Sequence, residues 1–294
     1  MAGYARRPEW LRLRPLVPII LNEMRRLMRD LKMHTVCESA QCPNCTECFA
    51  EATATFMILG DICTRNCTFC AVKPGKPQAP DSQEPERIME AVNKLGLRYV
   101  VITSVTRDDL PDGGASQFAQ TITAIHNYDP DIKVEVLIPD FRDSFPALQT
   151  VVDVHPAVLN HNVETVPRLY PEVRPQAKYQ RSLELLKQSK LLNNKILTKS
   201  GFMLGLGESR QEVIEVMTDL RQASCDILTI GQYLQPSLRH YKLVKYVPPE
   251  EFEEYANIGK QLGFRQVVSG PLVRSSFHAA KACHLATAET VCYA

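Results

Sequence analysis

Cys63-Thr64-Arg65-Asn66-Cys67-Thr68-Phe69-Cys70 sets three thiols within eight residues, directly after the apolar run Thr55-Phe56-Met57-Ile58-Leu59-Gly60. Three soft thiolates on one short loop suit iron in an iron–sulfur cluster, where cysteine sulfur is the usual protein ligand. A cubane cluster with only three protein ligands keeps one iron open, and an open metal position is where a substrate or cofactor binds. Structural zinc sites pair a C-x2-C with a second pair elsewhere, which this loop does not do by itself.

The C-x3-C-x2-C spacing resembles the cysteine loop of the radical S-adenosyl-L-methionine (SAM) superfamily. In that superfamily the loop follows the first strand of a β/α barrel, and an aromatic commonly precedes the third cysteine, as Phe69 does here. The resemblance makes residues 55–60 the first strand.

The rest of the chain is consistent with one such domain. Strands are expected at 98–104, 133–138, 157–162, 195–204, 227–231 and 266–269. Helices are expected at 16–31, 84–95, 115–128, 145–151, 179–189, 210–222 and 249–262, from apolar residues at helical spacing. Strand–helix alternation implies a parallel sheet. With no G-x-G-x-x-G after the first strand, an α/β fold of the partial (β/α)6-type TIM barrel fits better than an open nucleotide-binding sheet. There is no linker, repeat or low-complexity run.

At 294 residues, 45% hydrophobic and 23% charged, the chain has ordinary globular composition. A net charge of +1 gives no general footprint for nucleic acid. No apolar run is long enough to span a membrane, and the N-terminus lacks an apolar signal core. The expectation is therefore a cytoplasmic protein, or an organellar one after loss of a transit peptide. Seven of the ten cysteines fall between Cys37 and Cys70. That density indicates metal binding in a reducing compartment rather than a disulfide framework. Cys225 is expected in the core. Cys283 and Cys292 lie in an Ala- and Thr-rich tail and receive no role.

In a barrel, residues at the C-terminal strand ends face the site. Besides the cysteine loop these are Thr103, Ser104, Asp108 and Asp109, then Asn160, Asn162 and Glu164. Lys199, Ser200, Glu208, Gln232, Tyr233 and Gln235 follow. Asp112-Gly113-Gly114 is a turn signal that also exposes backbone groups, with room for an ammonium. Upstream, Cys37, Cys42, Cys45 and Cys48 place four thiols in twelve residues. They read either as C-x4-C-x5-C (Cys37, Cys42, Cys48) or as C-x2-C-x2-C (Cys42, Cys45, Cys48). Each set suits a second cluster, all four together suit zinc, and spacing alone does not choose.

These motifs resemble the lipoyl synthase family over nearly the whole chain. Pro8-Glu9-Trp10-Leu11-Arg12 is similar to that family's opening, and 108–115, 160–166, 199–208 and 231–237 to its internal motifs. Gly270-Pro271-Leu272-Val273-Arg274-Ser275-Ser276-Phe277 is similar to its C-terminal one. The resemblance implies N- and C-terminal extensions (1–52 and 271–294) around a barrel (53–270), forming one compact unit. It implies two 4Fe–4S clusters: one held by Cys63, Cys67 and Cys70, and an auxiliary one held by Cys37, Cys42, Cys48 and a serine, Ser275 rather than Ser276. Cys45 is then a spectator where the family usually has an apolar residue, and Phe277 stands where a tyrosine is usual.

The resemblance also implies the chemistry: sulfur insertion at carbons 6 and 8 of an octanoyl chain held on a lysine of a carrier protein. Two SAM molecules would be consumed per lipoyl group, one for each hydrogen removed, with the auxiliary cluster as sulfur donor. Thr103, Asp112, Gly113, Gly114, Glu164, Lys199 and Glu208 become candidate SAM contacts. Tyr233, Gln235 and Pro236 would line the substrate or adenine side. The implied partners are octanoylated 2-oxoacid dehydrogenase E2 subunits or the glycine cleavage H protein, and an electron donor such as ferredoxin or flavodoxin. A monomer is expected, with Arg6, Arg7 and Arg12 offered to an acidic carrier.

Overall fold

The computed structural model describes residues 7–11, 26, 28–31, 33–35, 44 and 55–288. Cys37, Cys42, Cys45 and Cys48, with Arg6 and Arg12, lie outside the described residues, as does most of the helix expected at 16–31. Strands β1 (His34–Thr35), β2 (Thr55–Ile58), β3 (Ile62–Cys63) and β4 (Lys73–Pro74) come first. Then alternate α1 (Glu84–Lys94), β5 (Tyr99–Ser104), α2 (Ala115–Tyr128), β6 (Lys133–Leu137), α3 (Phe145–Val152) and β7 (Val158–Asn160). The second half holds α4 (Tyr170–Val173), α5 (Tyr179–Leu192), β8 (Leu197–Leu204), α6 (Arg210–Gln222) and β9 (Ile227–Gln232). It closes with α7 (Pro249–Gln261), β10 (Gln266–Gly270) and α8 (Ala279–Ala288).

Eight strands form one sheet in the order β1-β2-β5-β6-β7-β8-β9-β10. All pairings from β2 to β10 are parallel, and β1 adds an antiparallel edge. Among the described residues β10 pairs only with β9, so the sheet curls without closing, as a partial barrel. Strands buried on both faces read as near-continuous apolar runs, and every residue of β9 is buried. The helices bury one stripe each: Ile88, Ala91 and Val92 in α1, and Phe118, Ile122 and Ile125 in α2. Pro85 at the start of α1 and a Ser209–Glu212 capping box on α6 fix where those helices begin. Full burial of a side chain such as Phe118 contributes about 2–3 kcal/mol.

The strand expected at 157–162 stops at Asn160, because the chain turns there toward the barrel mouth. Glu164 takes a left-handed φ of 64° and bridges to Phe202.

The C-terminal tail does more than its composition suggested. Thr103, Leu137, Gly201 and Thr229 line the upper cavity of the barrel. The inward-facing positions below them are Tyr99, Glu135, Leu197 and Ile227, an even number of residues earlier on the same strands. Helix α8 packs Ala282, Cys283 and Ala286 against Val158, Leu197 and Ile227, flanked by Tyr99 and Val268. It therefore plugs the lower lumen. Between plug and cavity lies a buried polar layer. Lys199 Nζ meets Glu135 Oε1 at 2.7 Å, and Tyr99 Oη donates to Glu135 Oε2 at 2.7 Å.

Candidate metal centre

Cys63, Cys67 and Cys70 are free, half-buried thiols on a loop closed at its base by the β3–β4 pair. Gly75 N–H donates to the Cys63 carbonyl (2.8 Å), completing that closure. The loop is stitched down along its length. Thr64 donates through both N and Oγ1 to the Thr106 carbonyl, and Thr68 N–H donates to Val173. Arg65, between the first two cysteines, is 5% exposed. It donates two bonds to Asp108 (2.7 and 2.9 Å) and two to Asp140 (3.0 and 2.5 Å). Planar, bidentate guanidinium pairs of this kind fix direction as well as distance. The far side of the loop is held by the segment after β9. His240 Nε2 lies 3.1 Å from the Cys70 carbonyl, and Tyr241 N–H donates to the Thr68 carbonyl.

The three thiols open into a cavity of about 420 Å³ at the barrel mouth. Thr103, Asn162, Glu164, Arg174, Tyr233, Gln235, Pro236 and Ser275 share its wall. Ser275 arrives there because Gly231 lets the chain pass: a Cβ at Gly231 would collide with the Val273 carbonyl. Arg7 also reaches the cavity wall.

Burial sets the electrostatics. It pushes the Cys67 thiol up and the Cys70 thiol up to about 12. It also raises the Glu164 carboxyl, against the pull of the Arg174 guanidinium. Arg174 lies among Cys67, Glu164 and Tyr170, a fixed cation beside the Cys67 thiol. Burial and the neighbouring Arg174 charge hold His161 down to about 4; its Nδ1 lies 2.8 Å from the Ile138 carbonyl and its Nε2 2.9 Å from Ser182 Oγ.

Among the described residues no three His, Cys, Asp or Glu gather around a single ion. Three thiols sharing one wall of a cavity instead suit a polynuclear cluster. The cavity also suits a polar ligand. Asn162 Oδ1 and Arg174 Nε are buried with no hydrogen-bond partner, an arrangement rare in folded proteins unless a ligand or water completes it.

Residues 57–220 match the Radical SAM superfamily model. The chain is 59% identical over 274 residues to lipoyl synthase of Caldanaerobacter subterraneus subsp. tengcongensis, covering 93% of this chain and 96% of that protein. It is 57% identical to lipoyl synthase of Aquifex aeolicus, covering 88% and 94%. The chain belongs to the lipoyl synthase family. Solved structures agree on the fold of this family member. Streptococcus suis SuiB bound to S-adenosylmethionine superposes with a TM-score of 0.57 at 14% identity, over 84% of this chain and 60% of that one. Methylornithine synthase (PylB) does so with a TM-score of 0.54 at 12% identity, over 73% and 70%.

The family's expected site residues divide in two. The three cysteines, Thr103, Glu164 and Ser275 come together at the cavity. Asp112, Gly113, Gly114, Lys199 and Glu208 do not line it. Asp112 accepts from Gly114 N and Ser116 N, and Gly114 enters α2 with a φ of 93°, so this turn starts a helix. Lys199 is spent on Glu135. Glu208 accepts from Gly205 N and Leu206 N, holding its own turn. Asp140 and Arg174 went unnoticed in the sequence, and His161 entered only as part of the 160–166 motif, with no role of its own. Asp140 lies just past the strand expected at 133–138, where the strand-end rule applies, but a lone aspartate there carries no motif.

Proposed function

We propose that this protein inserts sulfur at carbons 6 and 8 of an octanoyl chain held in amide linkage to a lysine of a lipoyl carrier protein. The observation that carries the reading is the single cavity onto which Cys63, Cys67, Cys70 and Ser275 all open. The fit of the donor set supports a SAM-binding 4Fe–4S cluster on the three thiols. A second cluster on Cys37, Cys42, Cys48 and Ser275 is part of the same reading.

Bound there, cluster and SAM would supply a one-electron route to hydrogen removal from an unactivated methylene (carbon 6) and methyl (carbon 8), a step no side chain can perform. The chain's own work is positioning. Arg65, held by Asp108 and Asp140, fixes the thiol loop relative to two strand ends. Asn162 Oδ1 and Arg174 Nε offer an acceptor and a donor that suit the ammonium and carboxylate of an amino acid. Glu164, oriented by Asn162 Nδ2 at 3.0 Å, adds a further acceptor. The α8 plug closes the lumen below and limits water access to the reacting carbons. Ser275 places a hydroxyl, a harder and weaker partner for iron than a thiolate, on the same wall, where release of one corner is easiest.

The reading brings its partners: an octanoylated E2 subunit or glycine cleavage H protein, a ferredoxin or flavodoxin as reductant, and a monomer working in the cytoplasm. Among the described residues no helix is long and apolar enough to cross a membrane. The test is a single-turnover reaction after reconstitution with isotopically heavy sulfide, on an octanoyl-lysine peptide. Heavy sulfur in the dithiolated product is expected. SAM cleavage without sulfur in the peptide would overturn the reading.

A further inference from the structure

The segment from Tyr233 to Pro249, after β9, contains no Asp or Glu, and neither does the stretch from Ile62 to Pro80 around the cysteine loop. The two are joined by hydrogen bonds: Tyr241 N–H to the Thr68 carbonyl, and the His240 ring to the Cys70 carbonyl. His240 is itself oriented, its Nδ1 lying 2.8 Å from Ser237 Oγ. Lys73, Lys76, Arg239 and Lys242 are exposed on these segments, beside an exposed Leu238 (71%). None of the four cations has an ion-pair partner among the described residues, whereas Lys245 is paired with Glu251. Glu172, which accepts from Tyr241 Oη, and Glu251, paired with Lys245, are acids bonded to this face. On a chain of net charge +1 this is a local concentration of positive charge.

None of Lys73, Lys76, Leu238, Arg239 or Lys242 lines the cavity. A partner delivering an acyl chain must cover the cavity mouth. A partner delivering an electron needs only a short path to the cluster, and electron transfer weakens steeply with distance. Here the path is short: from the exposed segment through the His240 ring and one hydrogen bond to the Cys70 backbone. We propose that this basic face docks an acidic protein that donates one electron at a time. In the exchange the donor loses one electron and the cluster on Cys63, Cys67 and Cys70 gains it, with no bond made or broken in either protein. The proposal rests on the radical SAM reading of the site. Complementary charge of this kind mainly raises the rate of encounter and is screened by salt.

The experiment uses the reconstituted holoenzyme and a K73E/K76E/R239E/K242E variant, with flavodoxin as the acidic probe. Binding is measured by titration at low and high salt. Turnover is measured with reduced flavodoxin and, separately, with dithionite. We expect Kd and KM for flavodoxin to rise by about tenfold or more in the variant, and the salt dependence of binding to flatten. Dithionite-driven turnover of an octanoyl peptide should be unchanged, which keeps the test separate from the activity itself. Unchanged flavodoxin binding would overturn the proposal. So would a raised KM for an intact octanoylated carrier protein with flavodoxin binding intact, which would assign the face to the carrier.

Discussion

Arg65 and Asp140 face each other in a buried two-point ion pair, with side chains 4% and 1% exposed. The pair joins the cysteine loop after β2 to the end of β6, two strands away. Burial works against both charges. Even so, Asp108 and Asp140 raise the Arg65 guanidinium further, and Arg65 holds the Asp140 carboxyl well below the usual range. Arg181 reaches Asp140 from the other side at 3.2 Å and bonds Asp143 at 2.7 Å. That second tie holds Phe141, Arg142 and Asp143 at positive φ, where side chains are ordinarily strained.

Removing one charge of such a pair leaves the other buried and uncompensated. Asp140→Asn should therefore cost about 3 kcal/mol of stability, even with Asp108 still in place. Urea unfolding of the metal-free protein would show it as a lower midpoint at unchanged slope. Iron retained per chain after reconstitution should fall too, since the loop loses its anchor. An unchanged midpoint would mean that the pair contributes nothing net.

His161 gives a pH signature. Its unfolded value is about 6.5 and its folded value about 4, because it is buried neutral beside Arg174. Below pH 6.5 the unfolded chain takes up a proton that the folded chain refuses. Stability is thus fully present above 6.5 and is lost as pH falls toward 4, by on the order of 3 kcal/mol from this residue. His161→Gln should be less stable at pH 7.5, where the ring's two hydrogen bonds are lost, but should show a shallower decline between pH 6.5 and 4. Parallel stability curves for the two proteins across that range would contradict this account.

What the sequence made legible follows the range of each signal. The cysteine spacing and the strand–helix alternation are local, and they located the thiol loop and seven parallel strands. Serine at 275 was reachable only through the family resemblance. Its place on the cavity wall depends on Gly231, forty-four residues away, admitting the Val273 backbone. Lys199 and Glu208 looked functional for a good reason: a charged residue at a barrel strand end is usually either in the site or in solvent. Here each is satisfied by a partner that periodicity cannot reveal, Glu135 for the lysine and two backbone amides for the glutamate. The α8 plug was hidden for a similar reason. Its buried residues are small (Ala279, Ala282, Cys283, Ala286), so the helix shows little amphipathic contrast.

Gly231 tests how the C-terminal segment is docked. Gly231→Ala forces the Val273 carbonyl away, and overpacking of this kind costs about 1–3 kcal/mol. The strain falls on Val273 to Ser275, so limited proteolysis should cut after Gly270 sooner than in the parent protein. Sulfur insertion should fall more than SAM cleavage, because the thiol loop is not touched. Equal losses in both would indicate a general collapse of the cavity.

The Glu135–Lys199 pair separates two roles for the lysine. Both side chains are 1% exposed, and Glu135 also accepts from Tyr99 and from Asn160 Nδ2 at 3.3 Å. Lys199→Met leaves a buried carboxylate without its cation, so the single variant should lose about 3–5 kcal/mol. Adding Glu135→Gln removes the orphaned charge, and the double variant should recover most of that loss, a coupling that thermal melts can measure. A lysine that only braces the floor of the cavity predicts near-parental SAM affinity in the double variant. A lysine that contacts SAM predicts restored stability with SAM binding still lost. Equilibrium binding of SAM to the refolded, reconstituted double variant therefore decides between the brace seen in the barrel and the ligand contact implied by the family resemblance.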